Sequence, residues 1–270
     1  MCARAFLEVD EVTYSYRDKA GTSRALDRVS LRVDEGEFVC LIGHSGCGKS
    51  TLLSVLAGLN TPDSGRVTMG GSPLEGPGTT RAVVFQHYSL FPWMTALKNV
   101  SFSMRKAQKG LRKREAIERA SAYLDQVGIL KEAGRYPFQL SGGMQQRVAI
   151  ARALAMESDV LLLDEPFGAL DAKSRRELQN LLIRLWQEAG ANGRRRTVVF
   201  VTHDIDEALV LADRILFMRP GRIERDIPVD MPRPREACCG KKCAAFLSLE
   251  SAIRSLFYLD ESGGGEQDGC

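Results

Sequence analysis

The chain has 270 residues, of which 44% are apolar and 26% charged, and its 37 basic and 34 acidic side chains leave a net charge of +3. Such a composition can build a sizeable globular core, and the charge is too evenly balanced for bulk electrostatics to select nucleic acid as a partner. Acidic residues interrupt MCARAFLEVDEV where a secretion signal needs an apolar stretch, and no apolar run approaches a membrane span, so a cytoplasmic chain is expected.

In chain order, residues 6–39 alternate apolar and polar in short runs, FLEVDEVTYSY and ALDRVSLRVDEGEF, split by Asp-Lys-Ala-Gly and Asp-Glu-Gly turns. This predicts antiparallel strands. FVCLI is then a continuous apolar strand, GHSGCGK a Gly-rich loop and STLLSVLAGL a helix, the order of a mononucleotide-binding unit. Residues 94–131 hold Lys- and Arg-rich amphipathic segments such as KREAIERASAYLDQVGIL, which predict a helical insert. Two further apolar strands, DVLLLDEP and RTVVFVTHD, the second preceded by the helix RRELQNLLIRLWQEAG, read as buried parallel strands. From residue 226 the chain turns to VDMPRPREACCGKKC and a helix-like AAFLSLESAIRSLFYL, so 1–225 reads as the main domain and 226–270 as a tail.

Gly43 to Ser50, GHSGCGKS, matches G-x-x-x-x-G-K-[ST] in full. In that motif backbone amides surround phosphates, Lys49 reaches the β and γ groups, and the Ser50 hydroxyl ligates Mg²⁺. VLLLDEP ends a buried strand on Asp164 and Glu165. Alone, that pair would be a solvated strand end; beside a phosphate loop, Asp164 suits the Mg²⁺ shell and Glu165 the γ-phosphate, as general base for an attacking water. LSGGMQQR, residues 140–147, is a second small-residue loop opening a helix. Free N–H groups and the helix dipole there suit a phosphate too, although Ser141 also reads simply as the N-cap of its helix. Seven cysteines, with Cys40 and Cys47 in or beside the strand and loop, point to reduced thiols. Cys238, Cys239, Cys243 and Cys270 fit no usual metal spacing and are expected reduced and solvent-facing.

GHSGCGKS, Gln86 in VVFQ, LSGGMQQR, LLLDE, GALD and His203 in VTHD follow one another as in the nucleotide-binding subunits of ABC transporters, which residues 6–225 resemble. The resemblance implies an α/β fold: a P-loop NTPase core with a RecA-like parallel sheet, an N-terminal antiparallel β subdomain, and an α-helical subdomain inserted at about 90–152. It implies ATP and Mg²⁺ as cofactors, with Gly43, His44, Ser45, Gly46, Cys47, Gly48, Lys49, Ser50 and Thr51 around the nucleotide. Tyr16 would stack on adenine, with Tyr14, two positions away on the same strand face, left open as an alternative. Gln86 would contact Mg²⁺ and the attacking water, Ser50 and Asp164 would hold the metal, and His203 would contact the γ-phosphate. Ser141, Gly142 and Gly143 would bind the γ-phosphate held by the P-loop of a second subunit, and Asp171 in GALD would lie at the dimer interface.

The same resemblance implies a task. Phe91, Pro92 and Trp93 would line a groove for the coupling helix of a separate transmembrane permease, served in turn by a solute-binding protein. EGPGTTRAVVFQHYSLFPWMT, THDIDEALVLADR and PRPR resemble the nitrate, sulfonate, taurine and bicarbonate importers, more closely the nitrate, bicarbonate and cyanate branch. A peripheral protein on the cytoplasmic face of the membrane, energising uptake of a small anion, is therefore expected. A soluble ABC-type ATPase of repair, translation or cluster assembly is the alternative, and it would typically carry two such domains or long coiled-coil insertions.

Overall fold

A computed structural model describes residues 5–19, 21–168, 170–188, 193–233, 235 and 244–258. The first two strands, β1 (Ala5–Asp18) and β2 (Gly21–Asp34), pair antiparallel, and β1 pairs on its other side with β4 (Ser64–Met69), followed by the short β5 (Ser72–Pro73). Alternation along β2 buries Leu26, Val29, Leu31 and Val33 on one face. Bulges where Glu11 and Arg28 take positive φ shift the β1 register, and Tyr14 and Tyr16 end on the same side with their rings edge to face at 5.1 Å.

The six-stranded second sheet runs, in order, β10 (Arg222–Pro228), β9 (Arg214–Arg219), β3 (Phe38–Gly43), β8 (Thr197–Val201), β7 (Val160–Asp164) and β6 (Arg81–Val84). All neighbours are parallel except β10, which pairs antiparallel with β9. Every residue of β3 and β8 is buried, which is why both read as continuous apolar runs. Period two divides β3 between two cores: Val39 and Leu41 pack with the antiparallel sheet and α1 (Lys49–Leu56), while Phe38, Cys40 and Ile42 pack with the helices on the opposite face.

The predicted helical insert is α2 (Ala96–Ala107) and α3 (Lys113–Gln126), packed on each other and on α4 (Gly142–Leu154). Ala116, Ala120 and Leu124, four residues apart, form the buried stripe of α3. Helices α5 (Ala172–Gln187) and α6 (Ile205–Leu211) flank the sheet, and α7 (Ala244–Tyr258) packs on α6 through the buried Phe246 and Ile253. Cys40 and Cys47 are buried free thiols; Cys238, Cys239, Cys243 and Cys270 lie outside the described residues.

Packed chain continues past the boundary expected at residue 226. Strand β10 crosses it, and Val229, Met231 and Arg235 are buried beyond it. Arg235 is 2% exposed and donates to the carbonyls of Met231 and Leu209 at 3.0 Å, of Val229 at 2.9 Å and of Ala212. Burial and the neighbouring Arg233 push its guanidinium down to about 10. Arg233 pairs with Asp213 and lies 4.6 Å over the Trp186 ring. An Arg235→Ala variant strands these carbonyls in the core and is expected to lose about 3 kcal/mol, read as a lower urea midpoint with an unchanged slope.

Candidate active site

Strands β3, β8 and β7 end together, so the loops after them meet at the carboxyl edge of the sheet. After β3 the chain turns through Gly43 (φ 153°) to Gly48 (φ 109°) and enters α1. A Cβ on Gly43 would stand 2.3 Å from the Met218 carbonyl oxygen, and one on Gly48 2.6 Å from that of Ala25. Both contacts are with backbone, which cannot swing aside. Gly43→Ala is therefore expected to cost about 3 kcal/mol or more through strain and overpacking, measured by thermal melting.

This tight turn brings Lys49 into the loop it closes. Its ammonium, 5% exposed, donates to the carbonyls of Gly43 at 2.9 Å and His44 at 2.8 Å, a fixed positive charge beneath Ser45 and Gly46, which are exposed. Tyr16 is 48% exposed, and its hydroxyl lies 3.1 Å from Thr51 Oγ1 at the start of α1, whereas Tyr14 packs against the core. That contact puts Tyr16, and not Tyr14, on the rim of the loop.

Opposite the lysine stand the acids. Ser50 Oγ donates to Asp164 Oδ1 at 3.0 Å although 114 residues separate them. Burial pushes the Asp164 carboxyl up, and the Ser50 hydrogen bond offsets this only in part. A hydroxyl and a carboxylate oxygen side by side are the hard donors Mg²⁺ takes, and a divalent cation would offset the cost of a half-buried charge, so this pair fits the metal. Glu165 follows with φ 41°, a conformation that turns the chain sharply at the strand end. Its Oε2 lies 3.3 Å from His203 Nδ1, and His203 is 65% exposed. Val84 pairs with Leu163 in β6 and β7, so the exposed Gln86 leaves its strand at the same edge of the sheet as Glu165.

Ser141, Gly142, Gly143 and Asp171 form a second patch. Ser141 caps α4, accepting from the Met144 amide at a long 3.4 Å, and both Ser141 and Gly142 are exposed. Asp171 caps α5 with one oxygen, accepting from the Lys173 and Ser174 amides at 3.0 Å, and the hydrogen bonds from Ser174 hold its carboxyl below the usual range. The space beside Gly143 is bounded by Leu170 and Ser174, so the two helix starts are neighbours.

Sequence reasoning missed three groups that hold these loops. Asn99, fully buried on α2, bonds the backbone of Phe91, Met94 and Thr95 and so shapes the turn that leaves Trp93 69% exposed. Arg152 on α4 donates to the carbonyls of Tyr88 at 2.9 Å and Ser89 at 2.5 Å, folding the segment after Gln86 onto the helix that Ser141 caps. The ring of Phe257 on α7 lies 5.0 Å from the His44 ring and 5.0 Å from that of Phe217, and its carbonyl oxygen is 3.3 Å from His44 Nε2. Asn99 interrupts an apolar helix face, a readable signal; the other two contacts have none in the sequence.

The family described as ABC transporter matches residues 26–168. The nitrate import ATP-binding protein NrtD of Synechococcus elongatus is 47% identical over 237 residues, 86% of this chain and 85% of its own. The bicarbonate transport ATP-binding protein CmpD of the same organism is 47% identical over 234 residues, 86% of this chain and 82% of its own. A solved dimeric ATP-binding cassette in a post-hydrolysis state, bound to ADP and Pi, superposes with a TM-score of 0.75 at 35% identity, covering 84% of this chain and 100% of that one. The chain thus belongs to the ABC transporter family as an ATP-binding subunit, an ATPase whose cofactors are ATP and Mg²⁺.

Proposed function

We propose that this subunit energises a membrane importer of a small inorganic anion of the nitrate or bicarbonate kind. The observation that carries the reading is the 47% identity to nitrate and bicarbonate import subunits along 86% of the chain. The same comparisons lend nothing to the soluble alternative.

In this reading the amides of Gly43–Thr51 and the Lys49 ammonium bind the phosphates, and Tyr16 supports the adenine. Mg²⁺, when bound, neutralises charge developing on the phosphate oxygens. Ser50 and Asp164 hold it, with Gln86 beside them. Glu165 orients a water for in-line attack and takes its proton at the carboxylate, and His203, whose Nδ1 is 3.3 Å from that carboxylate, keeps it aimed and contacts the γ-phosphate.

A likeness to a dimeric cassette supports a second subunit whose Ser141, Gly142 and Gly143 complete the site in trans, with Asp171 at the interface. Among the described residues no helix is long and apolar enough to cross a membrane. In this reading closure acts on a separate permease, and the exposed Trp93 with Phe91, rings 5.7 Å apart, offers an aromatic surface for its coupling helix at the cytoplasmic face. The proposal is tested by reconstituting the subunit with its neighbouring permease and solute-binding protein in vesicles. ATP hydrolysis should rise with nitrate or bicarbonate; stimulation by taurine alone would overturn the solute class, and a subunit that does not join the permease would overturn transport.

A further inference from the structure

Glu207, in the first turn of α6, is 5% exposed and takes no part in the chemistry above. Its two oxygens accept from Thr202 Oγ1 at 2.5 Å and from Gln179 Nε2 of α5 at 3.0 Å. Burial pushes this carboxyl up, so the position costs stability that a well-packed apolar side chain would not.

Its partners point to the use of that cost. Thr202 Oγ1, while donating to Glu207, accepts from the Asp204 amide at 3.0 Å, and the Thr202 amide donates to the Leu41 carbonyl at 3.1 Å. His203 stands between these two pinned residues. Asp204 in turn accepts from the Glu207 amide at 3.1 Å and meets Arg175 of α5 at 3.5 Å, and Arg175 donates to the Leu170 carbonyl at 3.3 Å, just before Asp171. Gln179 and Arg175 thus tie the histidine segment, at two points, to the helix that Asp171 caps. Glu165, Arg175, Thr202, His203 and Glu207 border one recess of about 20 Å³, room for about one water.

We infer that Glu207 is the positioning residue of His203: through Thr202 it holds the histidine toward Glu165, and through Gln179 it couples that pose to the α5 end facing a second subunit. The inference rests on the reading of His203 as a γ-phosphate contact. Its effect should fall on turnover and not on nucleotide affinity, because neither Glu207 nor Gln179 lies at the phosphate loop.

The test is ATPase kinetics and ATP binding on the full-length subunit with Glu207→Ala, Glu207→Gln, Thr202→Val, His203→Ala and the double variant Glu207→Ala/His203→Ala. Glu207→Ala should lower kcat about tenfold or more while ATP affinity stays within about twofold, and Glu207→Gln, which keeps an oxygen for the Thr202 hydroxyl, should recover most of it. Thr202→Val, which preserves shape and removes only that hydroxyl, should reproduce the loss and keeps the inference testable should Glu207→Ala not fold. In the His203→Ala background Glu207→Ala should cost nothing further. Additive losses in the double variant, or full turnover in Thr202→Val, would overturn the positioning role alone. Full turnover in His203→Ala would overturn the reading of the histidine itself and the positioning role with it.

Discussion

A Glu165→Gln subunit is expected to bind MgATP as the parent does and to hydrolyse it about 10²- to 10⁴-fold more slowly, the usual contribution of a positioned general base. The substitution preserves size and side-chain reach. It also keeps the backbone comparable, since Gln gains nothing over Glu at φ 41° and loses little. What disappears is the basic carboxylate that the His203 ring meets at 3.3 Å. In the proposed cycle the dimer opens only after the γ-phosphate bond is cleaved, so the variant should accumulate as a nucleotide-filled dimer. Phosphate release and size-exclusion chromatography in MgATP measure the two effects separately. Normal turnover would remove Glu165 from the mechanism, whereas slow turnover with no dimer would leave its chemistry and break the link to closure.

What could be read from the chain depended on whether the physics was local. The strand, loop and helix around Gly43–Ser50 were legible because a buried strand, a backbone turn and a helix start each impose their own residue types within fifteen positions or so. The pairing of Ser50 with Asp164 spans 114 residues and was readable only through the order of motifs, not through spacing. Period two placed Tyr14 and Tyr16 on one face and did not separate them; the contact of Tyr16 with Thr51, across the subdomain boundary, favours Tyr16 for the proposed adenine role. Asn99, Glu207 and Arg235 show the opposite case. Each is a buried polar side chain whose purpose lies in backbone carbonyls, hydroxyls or amides brought up by other elements. The packing of the chain past residue 226 was hidden for the same reason, because the buried arginine of PRPR has its partners at Leu209, Ala212, Val229 and Met231. Turn and linker chemistry at 226–235 could not report that the segment packs.

Ser141→Arg carries the remaining large effect. Ser141 and Gly142 are exposed at the start of α4, and an arginine there can swing into solvent, so the subunit should fold and bind ATP through its own P-loop. It should not close on a partner, because a long side chain then fills the place of the partner's γ-phosphate and covers the helix N-terminus that would bind it. ATPase activity is expected to fall at least about a hundredfold, the scale of losing oriented donors to a transferring phosphoryl group. Mixing this variant with Lys49→Ala decides whether the site is shared. In a mixed dimer one site combines the intact P-loop of the first subunit with the intact Ser141 loop of the second, while the other site carries both lesions. Two inactive preparations should therefore regain activity on mixing, up to about a quarter of the parent value if subunits pair at random and sites turn over independently. No recovery, with mixed dimers demonstrated by cross-linking, would mean that both sites must fire together. Loss of activity in Lys49→Ala with none in Ser141→Arg would mean that each subunit completes its own site.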